Sequence, residues 1–78
     1  MDSKQNILIR FGERVREERL KKGLSQEDLA FRADLHRTDI GMIERAEKNI
    51  TLINICKICD ALEIPLKEIF EFNIDGKK

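Results

Sequence analysis

Two short helical patterns joined by a turn occupy residues 25–45, and they limit what this chain can fold into. The apolar positions at helical spacing are Leu29, Ala30 and Ala33, then Ile40 and Ile43. Residues 34–36 form the turn between the two patterns. Helices shorter than about 12–15 residues are marginal on their own, because helix nucleation is costly. We therefore expect the rest of the chain to hold these two helices at a fixed angle.

The flanking sequence predicts three more helices and no strand, so the expected fold class is all-α with five helices. The first helix should span roughly residues 6–22, with Arg14 on its solvent face. It should end at Gly23, because glycine readily adopts the left-handed conformation of a C-cap. Ser25 and Thr51 are strong N-cap residues for the second and fourth helices. Pro65 should occupy the first position of the fifth helix. Its inward residues are expected to be Leu66, Ile69 and Phe70.

The 78 residues predict one domain, 1–78, with a core at about 7–72. Apolar residues make up 41% of the chain and charged residues 38%, which is typical of a globular protein and not of a disordered one. The sequence contains no apolar run of 18 residues and no recognisable signal peptide. We therefore expect a cytoplasmic protein that does not associate with membranes.

Two cysteines, Cys56 and Cys59, and one histidine, His36, are too few ligands for a closed zinc site. The cysteines also lack the βαβ context of a redox motif, so we interpret them as small apolar residues of the fourth helix. The sequence contains no phosphate-binding loop and no Cys–His or Ser–His–Asp set. We expect neither an enzyme nor a site for a metal, a cofactor or a small-molecule ligand.

A helix pair joined by so short a turn is typical of the DNA-binding helix-turn-helix, whose second helix enters the major groove. The outward residues of that helix are expected to be Arg37, Thr38, Asp39, Gly41 and Met42. Arg37 could pair with guanine, and Thr38 could contact a base edge or a phosphate. Asp39 could accept a hydrogen bond from cytosine or could only cap the helix, and we favour the cap. Gly41 would let the helix backbone approach DNA closely.

Contacts with the DNA backbone are expected on either side of this helix. Gln26 lies at the N-terminus of the helix before it, where phosphates bind readily. Arg45, Lys48 and Asn49 follow it and could bind the next phosphates. The chain as a whole has 15 basic and 15 acidic residues, however, so the basic surface that binds DNA must be local.

The region of about residues 51–74 contains more apolar residues than one small core can bury. The residues expected on the inner stripe of the fourth helix are Leu52, Ile55, Ile58 and Leu62. Ile53 and Cys56 lie off this stripe, and Phe72 and Ile74 follow the fifth helix. We interpret them as the interface of a two-fold homodimer. Such a dimer would place two recognition helices roughly 34 Å apart and would double the number of phosphate contacts.

Three motifs resemble those of a known family. They are GLSQEDLA at 23–30, L-x-R-T-x-I-x-x-I-E-R at 35–45 and L-x-x-I-x-K-I-x-x-A-L at 52–62, which resemble the lambda-repressor-like XRE/Cro helix-turn-helix domain. The likeness covers about residues 8–70. The run R-T-x-I-G-x-I-E-R-x-x-K-N-I-T at 37–51 is similar to the controller proteins of bacterial restriction-modification systems. The resemblance implies an autoregulatory transcriptional regulator that binds palindromic operators as a dimer.

The resemblance also implies roles for individual residues. Base contacts fall on Arg37 and Thr38, and contacts with the DNA backbone fall on Gln26, Lys48, Asn49 and Thr51. A salt bridge between Arg19 and Glu44 ties the first helix to the third. Glu27 matches an exposed acid with which some relatives touch RNA polymerase.

The sequence departs from the family pattern at four positions. Asp39 stands where controllers commonly have tyrosine, and His36 stands where serine or aspartate usually caps the helix. Glu18 often has an apolar counterpart, and Glu63 replaces the frequent glycine after the fourth helix. Two other hypotheses stay open at this point. One is a phage-type repressor or an antitoxin of the same fold, and the other is a protein-interaction module whose third helix binds protein.

Overall fold

The computed structural model describes residues 3–72, with side chains from residue 6 onward, as five α-helices without a strand in that range. The helices are α1 Ser3–Lys21, α2 Gln26–Ala33, α3 Arg37–Glu44, α4 Leu52–Leu62 and α5 Leu66–Ile69. The all-α prediction is confirmed. The first helix begins earlier than predicted, and α5 is a single turn. No helix among the described residues is long and apolar enough to cross a membrane.

Short side chains fix where the helices begin. The Ser25 hydroxyl accepts a hydrogen bond from the Asp28 N–H at 2.9 Å, and the Asp28 carboxylate accepts the Ser25 N–H at 3.0 Å. This reciprocal capping box satisfies two donors at the start of α2. Thr51 caps α4 in the same way by accepting the Asn54 N–H at 3.2 Å. Pro65, by contrast, occupies the cap position of α5 and not the first helical position that we predicted.

Left-handed residues make the corners after four of the helices. Gly23 has φ +71°, as expected of a glycine cap. Asp34, Ala46 and Glu63 adopt φ values of 57°, 60° and 58°. This conformation costs a non-glycine residue roughly 1–2 kcal/mol. The remaining structure must therefore hold these corners, including the one directly after α3.

The core lies where α4 packs against α2 and α1 packs across α3. Its fully buried large side chains are Val15, Leu29, Ile40, Ile58, Leu62 and Ile69. Phe70, also predicted to face inward, is 36% exposed, although its ring stacks on that of the buried Phe11, with centroids 5.6 Å apart. The prediction that Leu66 faces inward is wrong, because 41% of this residue is exposed.

Gly12 is the point at which α1 crosses the end of α3. A Cβ atom at this glycine would lie 2.5 Å from the Ile43 carbonyl oxygen and 3.0 Å from the Glu44 carbonyl oxygen. Both are backbone atoms, so they could not move aside as the end of a side chain could. The lack of a side chain at Gly12 therefore sets the distance between α1 and α3.

A polar cluster ties α1 to α5. The Arg14 guanidinium donates to the Glu68 carbonyl oxygen at 2.7 Å and to the buried Glu18 carboxylate at 2.9 Å. Burial raises the pKa of the Glu18 carboxyl, but hydrogen bonds from Arg14 and Lys21 outweigh burial and hold that pKa below its usual value. A charged residue thus occupies the position where the family pattern often has an apolar one.

Candidate nucleic-acid interface

The first turn of α3 presents two side chains to solvent that have no hydrogen-bond partner among residues 6–72. Arg37 and Thr38 are exposed, and their side chains take part in no hydrogen bond or ion pair with residues 6–72. Directly beneath them, Ile40 and Ile43 are buried in the core. The helix is therefore fixed on its inner face while the two predicted base-reading residues remain available.

Asp39, the third outward residue, is engaged twice within the protein. Its Oδ2 accepts the His36 N–H at 3.2 Å, which closes the start of α3. Its Oδ1 accepts a charge-assisted hydrogen bond from Lys48 Nζ at 2.6 Å. Lys48 foremost, and the His36 N–H after it, hold the pKa of the Asp39 carboxyl below its usual value. The cap was favoured from sequence, whereas the pairing with Lys48 was not predicted.

Arg45 also has a carboxylate partner, since its Nε lies 3.1 Å from Glu47 Oε1. Both cations expected to bind phosphate on the far side of α3 are thus neutralised within the protein. Arg45 additionally folds back over Gly41, where a Cβ atom would lie 3.0 Å from Arg45 Nη1 and 3.5 Å from Gln26 Oε1. The prediction that Gly41 faces outward is wrong, because Gly41 is buried beneath these two side chains.

An ion pair anchors the C-terminal end of α3. Arg19 Nε lies 2.7 Å from Glu44 Oε2, and Arg19 Nη2 lies 3.0 Å from Glu44 Oε1. The side chains are only 9% and 3% exposed. Arg19 Nη1 donates to the Leu24 carbonyl oxygen at 2.8 Å, and Gln26 Nε2 donates to Glu44 Oε1 at 3.2 Å. Four polar groups from α1, α2, α3 and the loop after α1 therefore meet at the C-terminal end of α3.

The same ion pair acts on the pKa of the Arg19 guanidinium. The hydrogen bond that Arg19 donates to Glu44 raises the pKa of the Arg19 guanidinium above its ordinary value, despite the opposing effect of burial. The Gln26 side chain is half-buried, and its amide nitrogen donates to Glu44. Its remaining groups lie beside Gly41 and Arg45, at the edge of the α3 surface.

The connector from α3 to α4 carries the other residues expected to touch the DNA backbone. Asn49 and Thr51 are exposed, and Lys48 is half-buried against Asp39. The Thr51 hydroxyl oxygen accepts the Asn54 N–H, so its hydroxyl hydrogen remains available to a phosphate. The structure thus brings Lys48 close to α3 and leaves Asn49 and Thr51 on the surface.

A separate apolar surface includes residues predicted for the dimer interface. Ile53 is 71% exposed and Cys56 is exposed, while Phe72 is half-buried, with its ring 6.1 Å from that of Phe70. Leu52, which we had placed on the inner stripe of α4, is exposed and joins this surface. The remaining predicted interface residue, Ile74, lies outside the described residues.

A shallow apolar cavity of about 200 Å³ adjoins this surface. Its lining comes from α1, the connector before α4, α4 itself and the residue after α5, and includes Ile7, Phe11, Ile50, Ile55 and Phe70.

Another exposed apolar residue lies on α2. Phe31 is 87% exposed there, close to the exposed acidic side chain of Glu27. Sequence reasoning did not identify Phe31, because a single apolar residue off the buried stripe gives no periodic signal.

The two cysteines are free thiols. Cys59 is buried in the core, and this burial raises the pKa of its thiol. Within the part of the chain that the structure describes, His, Cys, Asp and Glu side chains form no group of three or more that could hold a metal ion.

Comparison with known proteins identifies relatives of this chain. A helix-turn-helix family model matches residues 15–69. The control protein C.BamHI of Bacillus amyloliquefaciens is 49% identical over 72 residues, which cover 91% of this chain and 89% of that relative. The control protein C.MunI of a Mycoplasma species is 42% identical over 66 residues, or 83% of this chain and 89% of that relative.

Solved structures give the same result. The restriction-modification controller C.AhdI from Aeromonas hydrophila matches with a TM-score of 0.80 and 49% identity, over 81% of this chain and 96% of that chain. The controller C.Esp1396I, solved as a tetramer with its natural 35-base-pair operator, matches with a TM-score of 0.77 and 38% identity, over 82% of this chain and 84% of that chain. The chain belongs to the helix-turn-helix family of restriction-modification controller proteins, which are DNA-binding regulators of transcription.

Proposed function

We propose that this chain is the autoregulatory controller of a restriction-modification system and binds palindromic operators upstream of its own gene and of the endonuclease gene. It would act as a homodimer in the cytoplasm, without a cofactor and without enzymatic activity. Binding near the promoter activates transcription at low concentration and represses it at high concentration. The operator complex of the relative C.Esp1396I supports the choice of DNA as the partner.

The observation that carries the proposal is the state of Arg37 and Thr38. They are exposed at the N-terminal end of α3, while the inner face and the far end of that helix are fixed in place. Arg37 can donate two hydrogen bonds to guanine O6 and N7 in the major groove. Thr38 can contact the neighbouring base edge. Because α3 is held rigidly, binding would restrict chiefly the side chains that read the bases.

Backbone contacts would come from Gln26, Arg45, Lys48, Asn49 and Thr51, which lie beside or just beyond α3. A chain of zero net charge depends on such local groups, since each phosphate contact releases a bound counterion. Glu27 is exposed on α2, next to α3, and we assign to it the contact with RNA polymerase.

Dimerisation would use the exposed apolar surface of α4 and the residues after α5. Leu52, Ile53 and Cys56 are exposed there, and the two larger side chains gain most if a second copy covers them. We extend the same interface to Phe72 and Ile74. A two-fold axis through this surface presents two α3 helices to successive major grooves, roughly 34 Å apart.

The test is footprinting and gel-shift titration on the DNA upstream of the chain's own gene, over a series of salt concentrations. We expect a two-fold symmetric footprint and a higher affinity than for unrelated DNA. Arg37→Ala should cost about 1–3 kcal/mol of discrimination at one base pair of each half-site. Arg16→Ala, on an exposed position of α1, is the matched control and should bind like the unmodified protein.

Two results would contradict the proposal. Absence of any shift at low salt would rule out DNA binding and favour a protein-interaction module. An Arg37→Ala variant with unchanged sequence preference would remove α3 from the role of recognition helix.

A further inference from the structure

The ion pair between Asp39 and Lys48 differs from the other acid–base pairs of this face. Its atoms are 2.6 Å apart, and the side chains of Lys48 and Asp39 are 34% and 25% exposed. The nearby pair of Arg45 and Glu47 is longer, at 3.1 Å, and more than half exposed. Exposed pairs contribute little, whereas short charge-assisted hydrogen bonds that are partly shielded from water are stronger. The ion pair between Lys48 and Asp39 is therefore the stronger of the two.

This pairing changes what Lys48 can offer to DNA. While its ammonium group is bound to Asp39, the two groups together carry no net charge. To bind a phosphate, the ammonium must leave the carboxylate. Asp39 would then stand uncompensated beside a polyanion, where like charges repel. On DNA of arbitrary sequence, the exchange thus replaces one favourable interaction by another and adds a repulsive one.

The position of Asp39 supplies a condition under which the exchange becomes favourable. It is the third residue of α3, next to the two exposed residues assigned to base contacts. The amino group of cytosine donates a hydrogen bond in the major groove, and a carboxylate is its natural acceptor. Where such a donor faces α3, it can bind Asp39 when Lys48 turns to the phosphate.

We propose that Asp39 makes phosphate binding by Lys48 conditional on the base that faces α3, so that it is both the positioning residue for Lys48 and a determinant of specificity. This inference rests on the proposed function. It uses the carboxylate to disfavour wrong sequences as well as to favour the right one. The carboxylate stays ionised near neutral pH, because Lys48 and the His36 N–H hold its pKa low.

The test is Asp39→Asn, which removes the charge but keeps an oxygen that can accept the His36 N–H. Affinities of the full chain for an unrelated duplex and for its own upstream DNA are measured by fluorescence anisotropy between low and moderate salt. With Lys48 released, the slope of log K against log salt on unrelated DNA should steepen by about 0.9 per protomer, the value for one more phosphate contact. The ratio of specific to non-specific affinity should fall by about tenfold, comparable to one mismatched base pair.

Asp60→Asn is the matched control. It makes the same chemical change at an exposed residue of α4, outside the candidate interface, so slope and affinity ratio should both stay unchanged. Thermal melting of both variants establishes that they are folded.

The possible outcomes separate this inference from the proposed function. A wild-type chain without preference for its own upstream DNA overturns both. A wild-type chain that does prefer that DNA, with Asp39→Asn indistinguishable from it in slope and ratio, overturns only the role of Asp39. Equal changes in Asp39→Asn and Asp60→Asn would show an effect of total charge, and they would also overturn it.

Discussion

Removal of the Glu44 carboxylate is the sharpest test of how the recognition helix is held. In Glu44→Ala, the Arg19 guanidinium loses two of its three hydrogen bonds and keeps only the one to the Leu24 carbonyl oxygen. The Gln26 amide loses its acceptor as well. Because the Arg19 side chain is 9% exposed, water cannot replace the lost partners without rearrangement of the surrounding side chains.

The expected cost follows from this burial. Breaking a buried ion pair by removal of one partner destabilises a protein by about 3–5 kcal/mol. Native proteins are stable by about 0.05–0.15 kcal/mol per residue, or roughly 4–12 kcal/mol for a chain of this length. The variant should therefore retain only part of its stability, with Tm lowered by roughly 12–40 °C.

The assay is urea unfolding followed by circular dichroism at neutral pH, with Glu17→Ala as the matched control. Glu17 pairs with Arg14 at 2.8 Å, nearly the same distance, but its side chain is 60% exposed. That variant should lose no more than about 1 kcal/mol. If both variants lost the same stability, burial would not be what makes the Arg19–Glu44 pair important, and the reasoning would be refuted.

Three further predictions concern other parts of the fold. Gly12→Ala should lose about 1–3 kcal/mol or more of stability, because its methyl group would meet the backbone of α3. Thermal melts should show this loss, and the folded fraction of the variant should bind operator DNA more weakly. The control variant Gly23→Ala should lose stability but keep its affinity for DNA. Ala46→Gly should raise stability by about 0.5–1 kcal/mol, since glycine removes the left-handed strain at φ 60°; a lower urea midpoint would contradict this. The pKa values of Glu18 and Asp39 are lowered in the native state, so as pH falls the unfolded chain takes up protons first. Stability should be full above their ordinary pKa values of about 4 and should decline below them, which urea midpoints between pH 7 and pH 3 will measure.

Local signals in the sequence predicted most of the helix boundaries. The Ser25 capping box and the Thr51 cap involve residues three apart, so their chemistry is visible in a short stretch of sequence. The larger buried side chains of α2 and α3 follow helical spacing and were identified correctly; they are Leu29, Ala30, Ala33, Ile40 and Ile43. The left-handed corner at Ala46 was not identified, because alanine has no local preference for it.

Interactions between distant segments were harder to predict. Arg14 was expected on the solvent face of α1, but it reaches the carbonyl oxygen of Glu68, 54 residues away. Gly41 was placed outward because a helical pattern does not reveal that Arg45 folds back over it. Leu52 and Leu66 were placed inward, and both are exposed. Apolar spacing alone does not distinguish a residue of the core from one on the surface.

The outward residues of α3 differ in the number of hydrogen bonds that they make within the protein, and this difference decides which of them can be replaced alone. Arg37 and Thr38 make no side-chain hydrogen bond to residues 6–72, so replacing either should leave the fold intact and, under the proposed function, alter only the base contacts. Asp39 is bound to the start of its own helix and to Lys48, so a replacement there acts on helix formation and surface charge as well as on the proposed base contact. New target sequences are therefore accessible by single substitutions at the first two positions, while the third requires a compensating second change. A library with two varied positions and one fixed position would sample new specificities with the fewest unfolded members.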